Sequence, residues 1–328
     1  MSAFLLNIPP YIRFSSLFIL FPSMHTILGA NGTIALGIAR ELAAHNLPLR
    51  LVSRTPRAVN AGDILHSADI MKRESVFVAV KDSEVVYLTA GFRYNSRVWR
   101  ETWPVVMRNV LDACHEAKAK LVFFDNVYMY GKVSGWMTEG TPMNPCSQKG
   151  EVRARIAQML LDDVKSGNVQ ALIARAADFY GPETPNSFFN EMVLKNLHKG
   201  KKAQVLASAN KLHTYTYTHD AGKATALLGM TQSAYNQVWH LPTDRNAMTG
   251  AEFVRLAGEV LGREVGSMVM TKWMMQALGL FIEPLKESVE MLYQSEYDYL
   301  FDSSKFEKAF SFQPMPYKQG FAETFKAL

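Results

Sequence analysis

The first residues in this chain whose types and spacing could do chemistry form a glycine turn, Gly29-Ala30-Asn31-Gly32-Thr33-Ile34-Ala35, directly behind the apolar run His25–Leu28. Such a turn suits an anion. Gly29 permits a sharp bend and Gly32 lets the backbone approach a pyrophosphate. Asn31, Thr33 and Ile34 lie where a helix N-terminus would offer unpaired N–H groups. The spacing is G-x-x-G-x-x-A, and taken alone it also fits a strand–helix turn with no ligand. A second group, Ser53, Arg54 and Arg57, stands at the end of the next apolar run. In a dinucleotide site that strand end faces the adenosine ribose, where a carboxylate would bind a 2′-hydroxyl. Here two arginines stand instead, and their forked, permanently charged donors suit a 2′-phosphate. NADP is therefore expected ahead of NAD, although two arginines in a solvated loop would leave the same trace.

These groups need a strand–turn–helix–strand unit to position them, and the patterning supplies one. Ile34, Ile38 and Leu42 recur at helical spacing, with Arg40, Glu41 and His45 off that stripe. Leu47–Val52 then reads as the next parallel strand. Further on, Glu84–Gly91 reads as a buried strand ending in Thr89, Ala90 and Gly91, small enough for a nucleotide to lie against the backbone. Helices are expected over Val98–Lys118 and Gly150–Val164. Strands are expected from Lys120, running into a polar turn at Asn126–Gly131, and over Val169–Arg175. This alternation predicts an α/β fold, a Rossmann-type doubly wound parallel sheet.

Beyond Pro182 the rhythm changes, and amphipathic helices dominate from Ala251 onward. One alternating strand, His213–His219, would set its histidines and tyrosines on one face and its threonines on the other. A metal site from His213 and His219 lacks an evident third ligand. The expected division is a dinucleotide-binding domain of residues 24–178 with 213–240, and a smaller, mainly helical C-terminal substrate domain of 179–212 with 241–328.

The 328 residues, 48% hydrophobic and 20% charged, can bury a substantial core. A formal net charge of +5 comes without a dense run of Lys and Arg interleaved with aromatics, so nucleic acid is not indicated. The two cysteines, Cys114 and Cys146, belong to no C-x-x-C pair, which argues against a disulfide framework and fits a reducing cytoplasm. The apolar stretch Phe14–Phe21 is too short to span a bilayer, so no membrane partner is expected. Met24 stands directly before the first strand, and Met1–Ser23 is expected to be an extension outside the fold.

Several segments, in order, give the chain a wider likeness. They are the glycine turn, the Asp69-Ile70 pair, Thr89-Ala90-Gly91 and Val127-Tyr128-Met129-Tyr130-Gly131. Arg175-Ala176-Ala177-Asp178-Phe179-Tyr180-Gly181-Pro182 follows, close to R-x-x-N-x-Y-G-P. Then come Tyr217-Thr218-His219-Asp220-Ala221, similar to Y-V-D-D-x-A, and Asp302-Ser303-Ser304-Lys305. In these the chain resembles the extended short-chain dehydrogenase/reductases, the NAD-dependent epimerase/dehydratase family. The resemblance implies a Rossmann domain binding NAD or NADP, with Asp69 and Ile70 on the cofactor and Asp178 and Tyr180 at its nicotinamide and substrate edge. It also implies a small-molecule substrate in the C-terminal domain, and it leaves a homodimer open.

At the catalytic positions the likeness breaks. Family members normally use Ser or Thr with Tyr and Lys, the last two as Y-x-x-x-K on a helix. Residues four apart share a helix face, so the ammonium can lower the pKa of the phenol. Here Asn126 best matches the Ser/Thr position. Aligning through Gln158–Leu161 puts Gly150 at the tyrosine and Ala154 at the lysine; moving Lys149 into the lysine slot leaves Pro145 for tyrosine. Tyr128-Met129-Tyr130-Gly131-Lys132 has the spacing but runs through a glycine at a strand end. Asn126, Tyr128 and Lys149 are the expected catalytic set, with Tyr128 standing in for the missing acid/base. Lys149, Arg153 and Arg155 read equally as solvated charges, with Lys149 or Arg153 otherwise a ligand of the nicotinamide ribose or an acidic substrate group. Two functions stay open. One is an NADP-dependent oxidoreductase or epimerase acting on an alcohol, carbonyl or sugar; the other is a non-catalytic NADP-binding sensor.

Overall fold

Seven short strands carry the molecule, seen in a computed structural model that describes residues 23–328. The expected extension lies outside the described residues apart from Ser23. The strands are β1 (Met24–Leu28), β2 (Leu49–Ser53), β3 (Ile64–Ser67), β4 (Ser83–Leu88), β5 (Lys120–Asp125), β6 (Ala171–Arg175) and β7 (Val238–His240). They form one sheet in the order β3-β2-β1-β4-β5-β6-β7, every neighbouring pair parallel. Runs such as Ala171-Leu172-Ile173-Ala174-Arg175 are buried along their whole length. That is the pattern of strands covered on both faces.

Parallel neighbours need crossovers, and five helices make them: α1 (Thr33–Ala44), α2 (Arg73–Val80), α3 (Ser96–Ala117), α4 (Gln148–Lys165) and α5 (Thr218–Met230). One face of the sheet packs on α2, α3 and α4 through Val76, Met107 and Ile156, and the other on α1 and α5 through Ile38 and Ala224. The expected Rossmann-type sheet is present. The strand order reverses between β1 and β4, the place where sheets of this kind hold ligands.

Caps explain where the expected boundaries shift. α3 starts at Ser96 because the Asn95 side chain accepts from the Val98 N–H, and α4 starts at Gln148 because Ser147 Oγ accepts from the Gly150 N–H. The expected strand His213–His219 is corrected. It is two pieces, Leu212–His213 and Tyr215–Tyr217, and α5 begins at Thr218, so His219 sits on a helix. No group of three His, Cys, Asp or Glu among the described residues is set to hold a metal ion. No helix among them is long and apolar enough to cross a membrane.

A second core, including Phe189, Phe253, Tyr317 and Phe321, joins the irregular helix from Phe189 to the helices Gly250–Leu261 and Tyr317–Ala327. Tyr180 belongs to this core and is fully buried. The short helices Lys272–Gly279 and Glu283–Ser288 close the far side of the cleft described next.

Candidate active site

A cleft of about 1410 Å³ runs from the glycine turn, across the C-terminal ends of β1, β4 and β5, to the two short helices. At its first end the backbone sets the shape. Gly29 has φ +97°, and a Cβ there would lie 2.5 Å from Ala90 Cα, so only glycine lets β1 end against Thr89 and Ala90. Gly32 starts α1 with no side-chain cap, which leaves the helix N-terminus available to an anion. Asn31 Nδ2 donates to Thr55 O at 2.9 Å and pins the turn to the loop after β2.

Ser53, Arg54, Asp69, Ile70 and Gly91 also face the cleft. The Asp69 corner is shaped in advance. Asp69 Oδ1 accepts from the Met71 N–H, and Asn109 on α3 donates to the carbonyls of Ile70 and Met71. Asn109 escaped the sequence reading, since nothing local marks it.

Three expected cofactor residues do not turn their side chains to the cleft. Ile34 is buried in the core, and Thr33 Oγ1 donates to Glu183 O at 2.5 Å. Arg57 is exposed and lies outside the cleft, so the expected pair of arginines is reduced to Arg54.

At the other end side chains set the shape. β5 runs into Asn126 and a single helical turn, Tyr128–Tyr130. Asn126 Oδ1 accepts from the Tyr128 N–H at 3.1 Å, and the Trp99 ring stacks near-parallel over Tyr128, centroids 6.3 Å apart. The Tyr94 side chain lies close enough to that of Tyr128 to influence its hydroxyl. Burial pushes the Tyr128 pKa well up and the Asp178 carboxylate adds to this. The Tyr94 hydroxyl and the charge of Arg153 oppose it without reversing it. At neutral pH Tyr128 is a phenol.

None of the lysines considered serves that phenol directly. Lys132 is exposed, its ammonium 4.6 Å from the Tyr297 ring, so the Tyr128–Lys132 spacing brings nothing together. Lys149 is fully buried and does not face the cleft. Its ammonium reaches Ser96 Oγ at 3.0 Å, Glu287 Oε2 at 2.7 Å and Glu290 Oε1 at 2.7 Å, and lies 4.6 Å from the Tyr94 ring. Arg153 is buried too, donating to Asp125 Oδ1 at 2.7 Å, with Arg175 on the other carboxylate oxygen. Both expected readings of Lys149 and Arg153, solvated charge or ligand of the cofactor or substrate, are corrected. Each is held in a buried ion pair. Tyr180 is corrected likewise, since it packs in the second core away from the cleft.

A Cβ at Gly150 would lie 2.6 Å from the Tyr128 carbonyl oxygen, so the first turn of α4 presses on the loop that carries Tyr128. Facing that loop across the cleft is Asp178, with His213 Nε2 3.3 Å from its Oδ2 but without hydrogen-bond geometry. The His213 ring lies between those of Tyr215 and Tyr299, at 4.2 and 4.4 Å.

The NAD dependent epimerase/dehydratase family model matches residues 25–238. The chain belongs to that family. A Bacillus subtilis (strain 168) protein described as an uncharacterized UDP-glucose epimerase, YtcB, is 25% identical over 126 residues, 38% of this chain. That match spans only 40% of the curated relative's length. Among solved members of this fold, the UDP-glucuronic acid 4-epimerase from Bacillus cereus, in complex with NAD, superposes with a TM-score of 0.76 at 15% identity. It covers 93% of this chain and 98% of its own. The UDP-glucose 4-epimerase from Thermotoga maritima, with UDP-glucose, gives 0.77 at 16% identity with the same coverage. The dTDP-glucose 4,6-dehydratase DesIV from Streptomyces venezuelae, with NAD bound, gives 0.73 at 16%, covering 93% and 96%. At these identities the family fold is shared.

Proposed function

We propose that this family member is an NADPH-dependent carbonyl reductase in which Tyr128 donates the proton. The observation that carries the reading is the Tyr128 phenol lining the cleft, stacked with the Trp99 ring, at the foot of a groove whose glycine turn suits a dinucleotide. Two features of the groove fit such a cofactor. The bare Gly29 cradle leaves room no side chain could share, and Ser53 Oγ is buried with no partner among the described residues, at the strand end where a ribose would lie. The glycine turn, Asp69, Ile70, Thr89, Ala90 and Gly91 would hold it. That strand end carries no carboxylate, and Arg54 faces the cleft beside it, which supports NADP over the NAD named for the solved relatives.

A bound nicotinamide supplies a hydride to the carbonyl carbon. The chain's own residues manage the oxygen. The Tyr128 O–H bond breaks as the oxygen takes its proton, and the nearby Tyr94 hydroxyl would donate to the phenolate left behind. Asn126 uses Oδ1 on the Tyr128 backbone, which leaves its amide N–H groups as donors for the substrate oxygen. Lys149 acts at one remove, holding Tyr94 and the Glu287–Glu290 segment in place. In a site with the usual lysine the phenol is shared between acid and base roles. Here it is kept protonated, which favours reduction over epimerisation.

Fluorescence titration with NADPH and NADH, followed by absorbance assays on an aldehyde and ketone panel, tests this. NADPH should bind at least about tenfold tighter, roughly 1.4 kcal/mol, and at least one carbonyl class should be reduced. NADPH binding with no turnover anywhere on the panel would favour the sensor reading instead.

A further inference from the structure

We infer that the substrate is a bulky, largely apolar carbonyl compound and not a nucleotide diphosphate sugar; the inference rests on the reductase reading and adds its substrate class. Past Asp178 the cleft is walled by Phe189, Met192, Leu206, Met270, Leu285 and Met291. A pyrophosphate entering there would need forked or clustered cations to replace its water. Among the described residues of this half of the cleft, the exposed Lys211 is the only cation, and Glu191, paired with Lys195 at 2.7 Å, stands on the same wall. Arg93, further toward the cofactor, is taken by Glu283. The helix Gly250–Leu261 begins at this wall, but its N-terminus is closed by its own capping box, Glu252 accepting from the Thr249 N–H at 2.7 Å.

The apolar surface also runs out of the cleft. Leu278 and Ile282 line it, and between them Leu280 and Phe281 are 81% and 88% exposed. At the inner end Asn126, Tyr128, Asp178 and His213 line the cleft, and the polar side chains of Gln204, Ser208 and Gln294 farther out are uncharged. A molecule with one polar end and an apolar body matches that division, with the carbonyl inward and the body along the wall.

Calorimetry on the NADP-loaded protein with 2-acetonaphthone and with UDP-glucose tests the inference directly. The ketone should bind at least about tenfold tighter, in keeping with burial of a bicyclic apolar body. Leu278→Lys, at a site exposed enough to tolerate the change, should weaken ketone binding by about fivefold or more. NADPH affinity, read separately, should stay within about twofold, since Leu278 is remote from the glycine turn. Tighter binding of UDP-glucose, or no binding of the ketone, would overturn the inference. Selective ketone binding without reduction would leave the ligand class supported and remove the reductase reading.

Discussion

Along the glycine-turn end of the cleft backbone sets the geometry, whereas along the Tyr128 end buried side chains from distant segments do. Gly29, Gly32 and the Thr89–Gly91 strand end shape the first wall within short stretches of chain. The second wall draws Asn126 and Tyr128 from the turn after β5, Tyr94 from the loop before α3 and Asp178 from the strand after β6, with Glu287 and Glu290 behind it on Lys149. Each wall is also tied by glutamate. Glu183 meets Arg40 and Thr33 at the start of α1, with both charged side chains about half exposed; Glu287 and Glu290 meet a fully buried Lys149. A wall made of backbone tolerates little change in sequence. A wall made of paired side chains can be rewired, and here it has lost the usual helical tyrosine.

The largest effect should come from breaking the buried tie. Lys149→Met leaves two carboxylates facing apolar surface, and such a loss costs about 3 kcal/mol, the lower end for a broken buried pair because the glutamates are partly exposed. Its pH dependence has a definite sign. Burial pushes the Glu287 pKa up, but hydrogen bonds from Lys149 and Ser96 outweigh it and hold it below its usual 4.5. A depressed carboxyl contributes stability above that value and loses it as pH falls through the folded value. The gap between wild type and Lys149→Met in urea melts should therefore be full at pH 7 and shrink below about pH 4.5. An unchanged gap at low pH would mean that Lys149 acts through packing instead.

Next in size, Tyr128→Phe should lower carbonyl reduction by about a hundredfold, the low end of acid/base contributions. Tyr94→Phe, which removes only the hydroxyl near the phenol, should cost about tenfold. NADPH affinity should hold in both. Equal losses from the two variants would assign the proton to the pair and not to Tyr128.

These two walls also differ in how well they can be read from sequence. The glycine turn, Asp69-Ile70 and Thr89-Ala90-Gly91 are short contiguous stretches, so the parallel sheet and much of the lining at that end of the cleft were legible. Tyr128 was legible as a cleft residue because it follows a strand end directly. The partners of Lys149 were not. Glu287 and Glu290 are 138 and 141 residues away and carry no local signature, so a lysine at a helix start looked like any surface charge. Tyr94 was missed for the same reason, and His213 was weighed only as a metal ligand, since its place beside Asp178 arises only when the chain folds. The strand ending at Tyr217 was overrun because alternation continued into the first residues of a helix.

At the glycine-turn wall a smaller change separates the two arginines. Arg54→Ala should weaken NADPH by about tenfold, roughly 1.4 kcal/mol, and leave NADH nearly unaffected. Arg57→Ala, outside the cleft, should change neither by more than about twofold, as for a remote, independent site. Equal effects at both positions would point to general attraction of the cofactor by positive charge.

The smallest effect is expected at the tie on that same wall. Arg40 and Glu183 pair at 3.0 Å with side chains 49% and 48% exposed, so water screens the attraction and both side chains lose rotamer freedom to keep it. Arg40→Ala should cost no more than about 0.5 kcal/mol, and 1 M salt should erase even that, because charges in solvent are screened over about 3 Å at that strength. Lys149→Met should keep most of its cost in the same salt, because the Lys149 ammonium is fully buried and its glutamates are only partly exposed. Glu183 would remain fastened without Arg40, since its carbonyl still accepts from Thr33 on the first turn of α1. Denaturant melts of both variants at low and high salt make the comparison on one scale. A loss above about 2 kcal/mol for Arg40→Ala, unmoved by salt, would make the Glu183 tie as structural as the buried one, and the contrast between the two walls would fail.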